Sequence, residues 1–102
     1  VTAFGQDKVA YVIYNAKGKK VAYKNLLREA QGNDIILFGE FHHNPIAHWL
    51  QFELMQDLHA TQSLILGAEM IEADNQKQLN NYFTGLTDQD GLDTLARLWP
   101  NY

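Results

Sequence analysis

Titratable side chains are concentrated directly after an unbroken run of apolar residues in this chain. The stretch ILFGEFHHNPIAHW, residues 36 to 49, holds one carboxylate, Glu40, and three of the four histidines, His42, His43 and His48. Carboxylate and imidazole together suit divalent first-row metals, and the same pair suits general acid and base catalysis. A charge that follows a buried strand is costly without a partner, so the stretch predicts a binding or catalytic site. A structural carboxylate, hydrogen-bonded to loop amides, is the alternative for Glu40.

A second carboxylate, Glu69, follows another apolar run. The segment SLILGAE, residues 63 to 69, ends as LFGE at Glu40 does, and the two glutamates are 29 residues apart. That distance is about the length of one βαβ unit, and open α/β sheets bind ligands beyond the carboxyl ends of their strands. We therefore expect Glu40, Glu69, His42 and His48 to converge on one crevice. Glu40, His42 and Glu69 could hold a metal there, with His48 as proton carrier, or the group could only complete a hydrogen-bond network.

Hydrophobic spacing and turn residues predict the strands and helices that carry these groups. β-Branched and aromatic residues on both sides of an Asn-Ala-Lys-Gly turn predict an N-terminal β-hairpin. Four consecutive apolar residues at 35–38 predict a strand covered on both faces, and residues 63–69 predict another. Helices are predicted over residues 24–31 and 45–61. A third is predicted from an Asp74 cap to a Gly85 terminator, and a fourth from a capping box at residues 87–90 until Pro100 ends it.

The start of the second helix is expected to point its first side chains at the site. Asn44 is a suitable N-cap and Pro45 suits the first helical position. His48 in the first turn should lean back toward the loop that carries His42, and the amides at this helix end favour an anion. In extended backbone His42 would lie on the same side as Glu40, which leaves His43 exposed. Late in the helix, His59 is expected at the surface.

These elements predict an α/β fold, three layers thick, with a mainly parallel sheet built from βαβ units plus the N-terminal hairpin. We expect one domain over residues 1–102. Two parallel strands and a hairpin form a small sheet for strands as apolar as these. Further βα units of a longer polypeptide, or a second subunit, are therefore expected to cover it.

Composition narrows the classes of function. The 102 residues are 46% hydrophobic and 20% charged, with a formal net charge of -4, which is globular composition and makes nucleic acid an unexpected partner. Without cysteine there is no disulfide, no thiolate nucleophile and no cysteine-based metal site. No apolar run approaches the ~20 residues of a membrane-spanning helix. The N-terminal residues do not form a signal peptide, so any export signal would have been removed.

Several motifs together resemble the opening part of the ChaN-like haem-binding lipoproteins. They are the Gly-Glu-Phe-His-His-Asn-Pro stretch with His48, Leu66-Gly-Ala-Glu69, Gln76 with Leu79 and Tyr82, and Trp99 with Tyr102. The motif Gly-Glu-x-His is also similar to one in a wider superfamily that includes erythromycin esterase-like enzymes and the metal-dependent Tiki proteases.

The resemblance implies an α/β protein longer than this chain, lipid-anchored in the bacterial envelope outside the cytoplasm. It also implies haem binding at a homodimer contact, a link to iron acquisition, and a tyrosine on the iron, Tyr102 or Tyr82. The haem-binding residues predicted in this way are Glu40, His42, His48, Glu69 and Tyr102. A haem-binding envelope protein is the first hypothesis, and a metal-dependent hydrolase that uses the Glu40, His42, His48 and Glu69 cluster is the alternative.

Overall fold

The computed structural model describes residues 9–100, which form an N-terminal hairpin followed by helices. The strands are β1 (Ile13–Tyr14) and β2 (Lys20–Val21), and the helices are α1 (Tyr23–Gln31), α2 (Pro45–His59), α3 (Gln76–Phe83) and α4 (Gln89–Leu95), with a 3-10 turn at Ala73–Asn75 before α3. The chain divides into two compact units, the first ending at Leu64 and the second beginning at Ile65. An α/β chain with an N-terminal hairpin is thus confirmed.

The hairpin forms where the turn residues predict it, with shorter strands. Ile13 pairs with Val21 in antiparallel register. The Asn15 side-chain oxygen accepts hydrogen bonds from the backbone amides of Lys17 and Lys19, both at 3.0 Å. Gly18 has a φ of 70°, a left-handed conformation that glycine adopts without steric cost.

The core of the first unit lies between α1 and α2. Its buried side chains are Ala30, Leu54 and Leu58, with Leu27, Phe38 and Leu64 packed against them. Leu54 and Leu58 are one helical turn apart, which is the spacing that predicts a core-facing stripe on α2. The Tyr23 hydroxyl donates a hydrogen bond of 2.9 Å to Asp57 and so ties the start of α1 to α2.

The second unit is built around α3 and α4, with Leu92 the most buried side chain at 1% exposed. Asp88 caps α4 by accepting a hydrogen bond from the Gly91 amide at 2.9 Å. The prediction that Pro100 ends this helix is wrong, because α4 ends at Leu95. The backbone amide of Arg97 donates instead to the buried Asn75 side chain at 2.7 Å, which draws the chain away from the helix axis.

The predicted parallel sheet is not seen in residues 9–100. Residues 35–38 and 63–66 are irregular and lack the hydrogen bonds of a sheet. Their apolar side chains are largely exposed, with Leu37 at 91% and Ile65 at 101%. A strand is stable only beside a neighbour that satisfies its backbone groups, and the described residues supply none to these segments. The three-layer arrangement stays a prediction.

The helices of the described range are short: α2, the longest, has 15 residues. None of them has both the length and the apolar character that a bilayer crossing requires.

Candidate functional site

Glu40 is a buried carboxylate in the first unit. Its side chain is only 9% exposed, and its oxygen Oε1 lies 3.5 Å from Nε2 of His48. The second oxygen, Oε2, is buried without a hydrogen-bond partner among the described residues. A buried carboxylate with a free oxygen is costly, so the alternative of a structural carboxylate satisfied by loop amides is not supported.

His48 lies in the first turn of α2, with its side chain 49% exposed. Its Nε2 is 3.1 Å from the backbone carbonyl of His42 as well as 3.5 Å from Glu40. The prediction that the imidazole leans back toward the loop of His42 is confirmed. Both neighbours of Nε2 are acceptors, so this nitrogen carries a hydrogen and donates it.

His42 and His43 lie in a turn, and the extended backbone predicted for them is wrong. The turn is closed by a 2.9 Å hydrogen bond from the Asn44 amide to the Phe41 carbonyl. Strand alternation therefore does not apply, and both histidines are exposed. Together with Pro45 and His48 they line an open cavity of about 340 Å³.

Asn44 begins α2 as the sequence predicts. Its side-chain oxygen accepts hydrogen bonds from the amides of Ile46 at 3.0 Å and Ala47 at 3.1 Å. Since two of the first amides of α2 are already satisfied, the predicted anion site at this helix end is not supported.

Glu69 lies in a turn of the second unit and is exposed, whereas Glu40 belongs to the first unit. Their approach to one another stays a prediction. In the described range, no group of three or more histidine, aspartate or glutamate side chains could hold a metal ion. Glu40 and His42 belong to the first unit and Glu69 to the second, so the metal site predicted from them stays a prediction, as does the metal-dependent hydrolase built on it.

The resemblance implies two tyrosines as candidate iron ligands. Tyr102 lies outside the described residues. Tyr82 is half-buried in α3, with its ring centroid 5.7 Å from that of Phe83. Gln76, at the start of the same helix, is exposed and donates from its side-chain amide to Asn80 at 2.9 Å.

His59 is the last residue of α2 and is exposed. Its predicted surface position is confirmed.

The second unit contains a polar network that no sequence pattern predicts. The Arg97 guanidinium donates to Glu72 at 2.7 and 3.2 Å and to Asp74 at 2.8 Å. The Trp99 indole donates to Glu72 at 3.0 Å. Hydrogen bonds from Arg97 and then from Trp99 lower the pKa of Glu72 to about 2. The partners are more than twenty residues apart in the chain, and no local spacing predicts such pairs.

No curated protein and no solved structure matches this chain significantly. One family model, described as "Haem-binding uptake, Tiki superfamily, ChaN", matches residues 26–102. The match contains the Glu40 and His48 pair, the turn of His42 and His43, and the second unit. Over this length the chain belongs to the ChaN family of haem-binding uptake proteins in the Tiki superfamily.

Proposed function

We propose that this chain binds haem at the turn that carries His42 and His43. The family match over residues 26–102 is the observation that carries the proposal. The two exposed imidazoles beside one open cavity support the location, because imidazole nitrogen is a common axial ligand of haem iron. A volume of about 340 Å³ lies in the range of small-molecule sites, roughly 300–1,000 Å³.

Exposed aromatic side chains that follow the turn closely in the chain could contact a flat apolar ligand. Phe41, in the turn, is 84% exposed, and Trp49 and Phe52, on α2, are 46% and 51% exposed. The ring of Tyr11 lies 5.7 Å from that of Trp49 and extends the aromatic surface. Burial of a porphyrin against such side chains would remove apolar area from water, which favours binding. When bound, the haem would supply an iron that accepts a nitrogen or oxygen ligand.

A titration with two porphyrins tests the proposal. We expect haemin to give a saturable Soret shift, and iron-free protoporphyrin IX to bind more weakly because it cannot use an axial ligand. A haemin spectrum that stays that of free haemin at all protein concentrations would contradict the proposal.

We separately propose a tyrosine as the iron ligand. As the resemblance implies, a tyrosine, Tyr102 or Tyr82, would bind the iron instead of an imidazole. Tyrosinate ligation gives the ferric haem a charge-transfer spectrum that imidazole ligation does not. Spectra of Tyr102→Phe and Tyr82→Phe, measured beside the wild-type protein, separate these alternatives.

We further propose that the protein acts in haem and iron acquisition in the bacterial envelope, attached through a lipid anchor. The support is the resemblance and the uptake role in the family description. Cell fractionation should recover the native protein with the membranes, and its deletion should slow growth when haem is the only iron source. Recovery in the cytoplasm would contradict the location.

We also propose that the assembled protein contains a parallel sheet and forms a homodimer. Residues 35–38 and 63–69 would become neighbouring strands when further strands of the polypeptide or a second copy complete the sheet. The exposed Leu37 and Ile65 support this, because side chains this apolar are commonly covered in the working state. Sedimentation velocity with and without haem tests for the dimer, and slow amide exchange in both segments of the assembled protein would indicate the sheet.

A further inference from the structure

Nε2 of His48 is held between two acceptors of the first unit. The His42 carbonyl lies at 3.1 Å and the Glu40 carboxylate at 3.5 Å. A carbonyl oxygen can only accept, so Nε2 must carry the hydrogen of the shorter contact. The carboxylate favours the same protonation at the same nitrogen. Glu40 and the His42 carbonyl therefore select the tautomer of His48.

A ring nitrogen that carries a hydrogen has no lone pair for a metal. His48 could offer iron only Nδ1, which is next to the side-chain branch point and more crowded than Nε2. His42 and His43 differ in this respect, because no hydrogen bond to either imidazole ring occurs among the described contacts, and both rings border the cavity.

The contact also holds the turn against the helix. His48 is fixed to α2 by its backbone, and its ring donates to the carbonyl of His42, six residues earlier. The same turn is closed by the bond from Asn44 to Phe41 at 2.9 Å. The backbone that carries both exposed imidazoles is thus held at two points.

We propose that Glu40 and His48 are positioning residues. They hold the turn at His42 and His43 in the arrangement that presents an imidazole to haem iron, and His48 is not itself the iron ligand. The inference rests on the proposed haem binding. Side chains that orient a metal-binding residue without touching the metal are known to tune metal affinity. Loss of such partners commonly weakens metal binding by about 10–100-fold.

Two substitutions of His48 separate a positioning role from a ligand role. The side-chain amide of His48→Gln can still donate to the His42 carbonyl, but it cannot replace an imidazole on iron. His48→Leu removes the donor and keeps apolar bulk. We expect His48→Gln to retain the Soret position and to bind haemin within about threefold of the wild-type protein, while His48→Leu binds about 10–100-fold more weakly. Glu40→Gln should fall between them, because Glu40 is the longer contact.

A measurement on the unmodified protein without haem keeps the test independent of variant folding. The ¹⁵N chemical shifts of the His48 ring should show a hydrogen on Nε2. A hydrogen on Nδ1 alone would overturn the inference. So would a His48→Gln protein that folds, by circular dichroism, but shows the altered Soret band of a lost ligand. If wild-type protein does not bind haemin, the proposed function itself fails, which is a different outcome from failure of the His48 variants alone.

Discussion

Glu72 collects hydrogen bonds from two side chains more than twenty residues further along the chain, Arg97 and Trp99. Folding lowers its pKa from 4.5 to about 2, first through the Arg97 hydrogen bond. Because the pKa is lower in the folded state, the ionised carboxylate stabilises the fold above about pH 4.5. That contribution is lost as the pH falls through about 2.

A carboxyl titration by ¹³C NMR checks this prediction. In the wild-type protein we expect Glu72 to titrate near pH 2, and in Arg97→Gln we expect its pKa to return toward 4.5. Asp93, whose described contact is a hydrogen bond from Gln89 at 2.7 Å, serves as the control carboxyl within the same unit. Titration of Glu72 near 4.5 in the wild-type protein would contradict the network.

Tyr23 should titrate at unusually high pH. Burial, and then the hydrogen bond to Asp57, raise its pKa from 10.0 to about 12. Since the folded state keeps the phenolic proton more tightly, this contribution to stability is present below about pH 10 and disappears as the pH rises through about 12. Ultraviolet titration of the wild-type protein minus that of Tyr23→Phe isolates the group, and a difference curve centred near pH 10 would refute the prediction.

At the scale of elements, α2 depends on its cap and on its buried stripe. Removal of the Asn44 oxygen leaves the amides of Ile46 and Ala47 without their acceptor. We expect Asn44→Ala to lower the free energy of unfolding by about 0.5–2 kcal/mol, whereas Asn44→Ser should recover most of the loss. Urea unfolding followed by circular dichroism measures both, and equal stability of the wild-type protein and Asn44→Ala would argue against the cap.

The buried stripe of α2 offers a matched pair of substitutions. Leu54 is 4% exposed and packs in the core of the first unit, while Leu37 is 91% exposed. We expect Leu54→Ala to cost about 2–5 kcal/mol of unfolding free energy because it leaves a cavity. In dilute protein, below the concentration at which the proposed dimer forms, Leu37→Ala should change it by less than about 0.5 kcal/mol. Similar losses for the two variants would mean that Leu37 is covered in solution.

Local signals predict the elements that depend on local interactions. The Asn44 and Pro45 pair predicts the start of α2, and Gly18 predicts the hairpin turn, because caps and turns are satisfied by residues a few positions away. The segment at 35–38 reads as a strand, yet its hydrogen bonds must come from a distant partner, and the described residues provide none. Its apolar composition predicts that it pairs with another strand, but it does not predict which strand that is.

In the candidate site, too, local sequence patterns predict some contacts and not others. The contact between His48 and the loop of His42 follows from the lean of side chains in the first helical turn. The turn at His42 and His43 does not follow, because extended backbone after Glu40 and a tight turn before Asn44 are equally compatible with the sequence. The network of Glu72 and Arg97 depends on how the chain folds back in the second unit, which no spacing predicts.

For the molecule as a whole, the family assignment and the exposed apolar segments both favour the proposed homodimer. The matched region is described as haem-binding, and side chains such as Ile35, Leu37 and Ile65 are at least 78% exposed. A protein with this surface is expected to assemble, and we expect a concentration-dependent dimer by sedimentation that Leu37→Lys weakens. A strict monomer at all concentrations, with and without haem, would contradict the homodimer.

If haem binds at the turn of His42 and His43, as we propose, loss of the two imidazoles must weaken binding, and a titration of three proteins measures this. The double variant His42→Ala, His43→Ala removes both exposed imidazoles, and His59→Ala removes an exposed imidazole from the far end of α2 as the matched control. We predict a Soret shift for the wild-type protein and for His59→Ala with equal affinity, and an altered band with at least about tenfold weaker binding for the double variant. Identical spectra and affinities for all three proteins would show that the haem binds elsewhere.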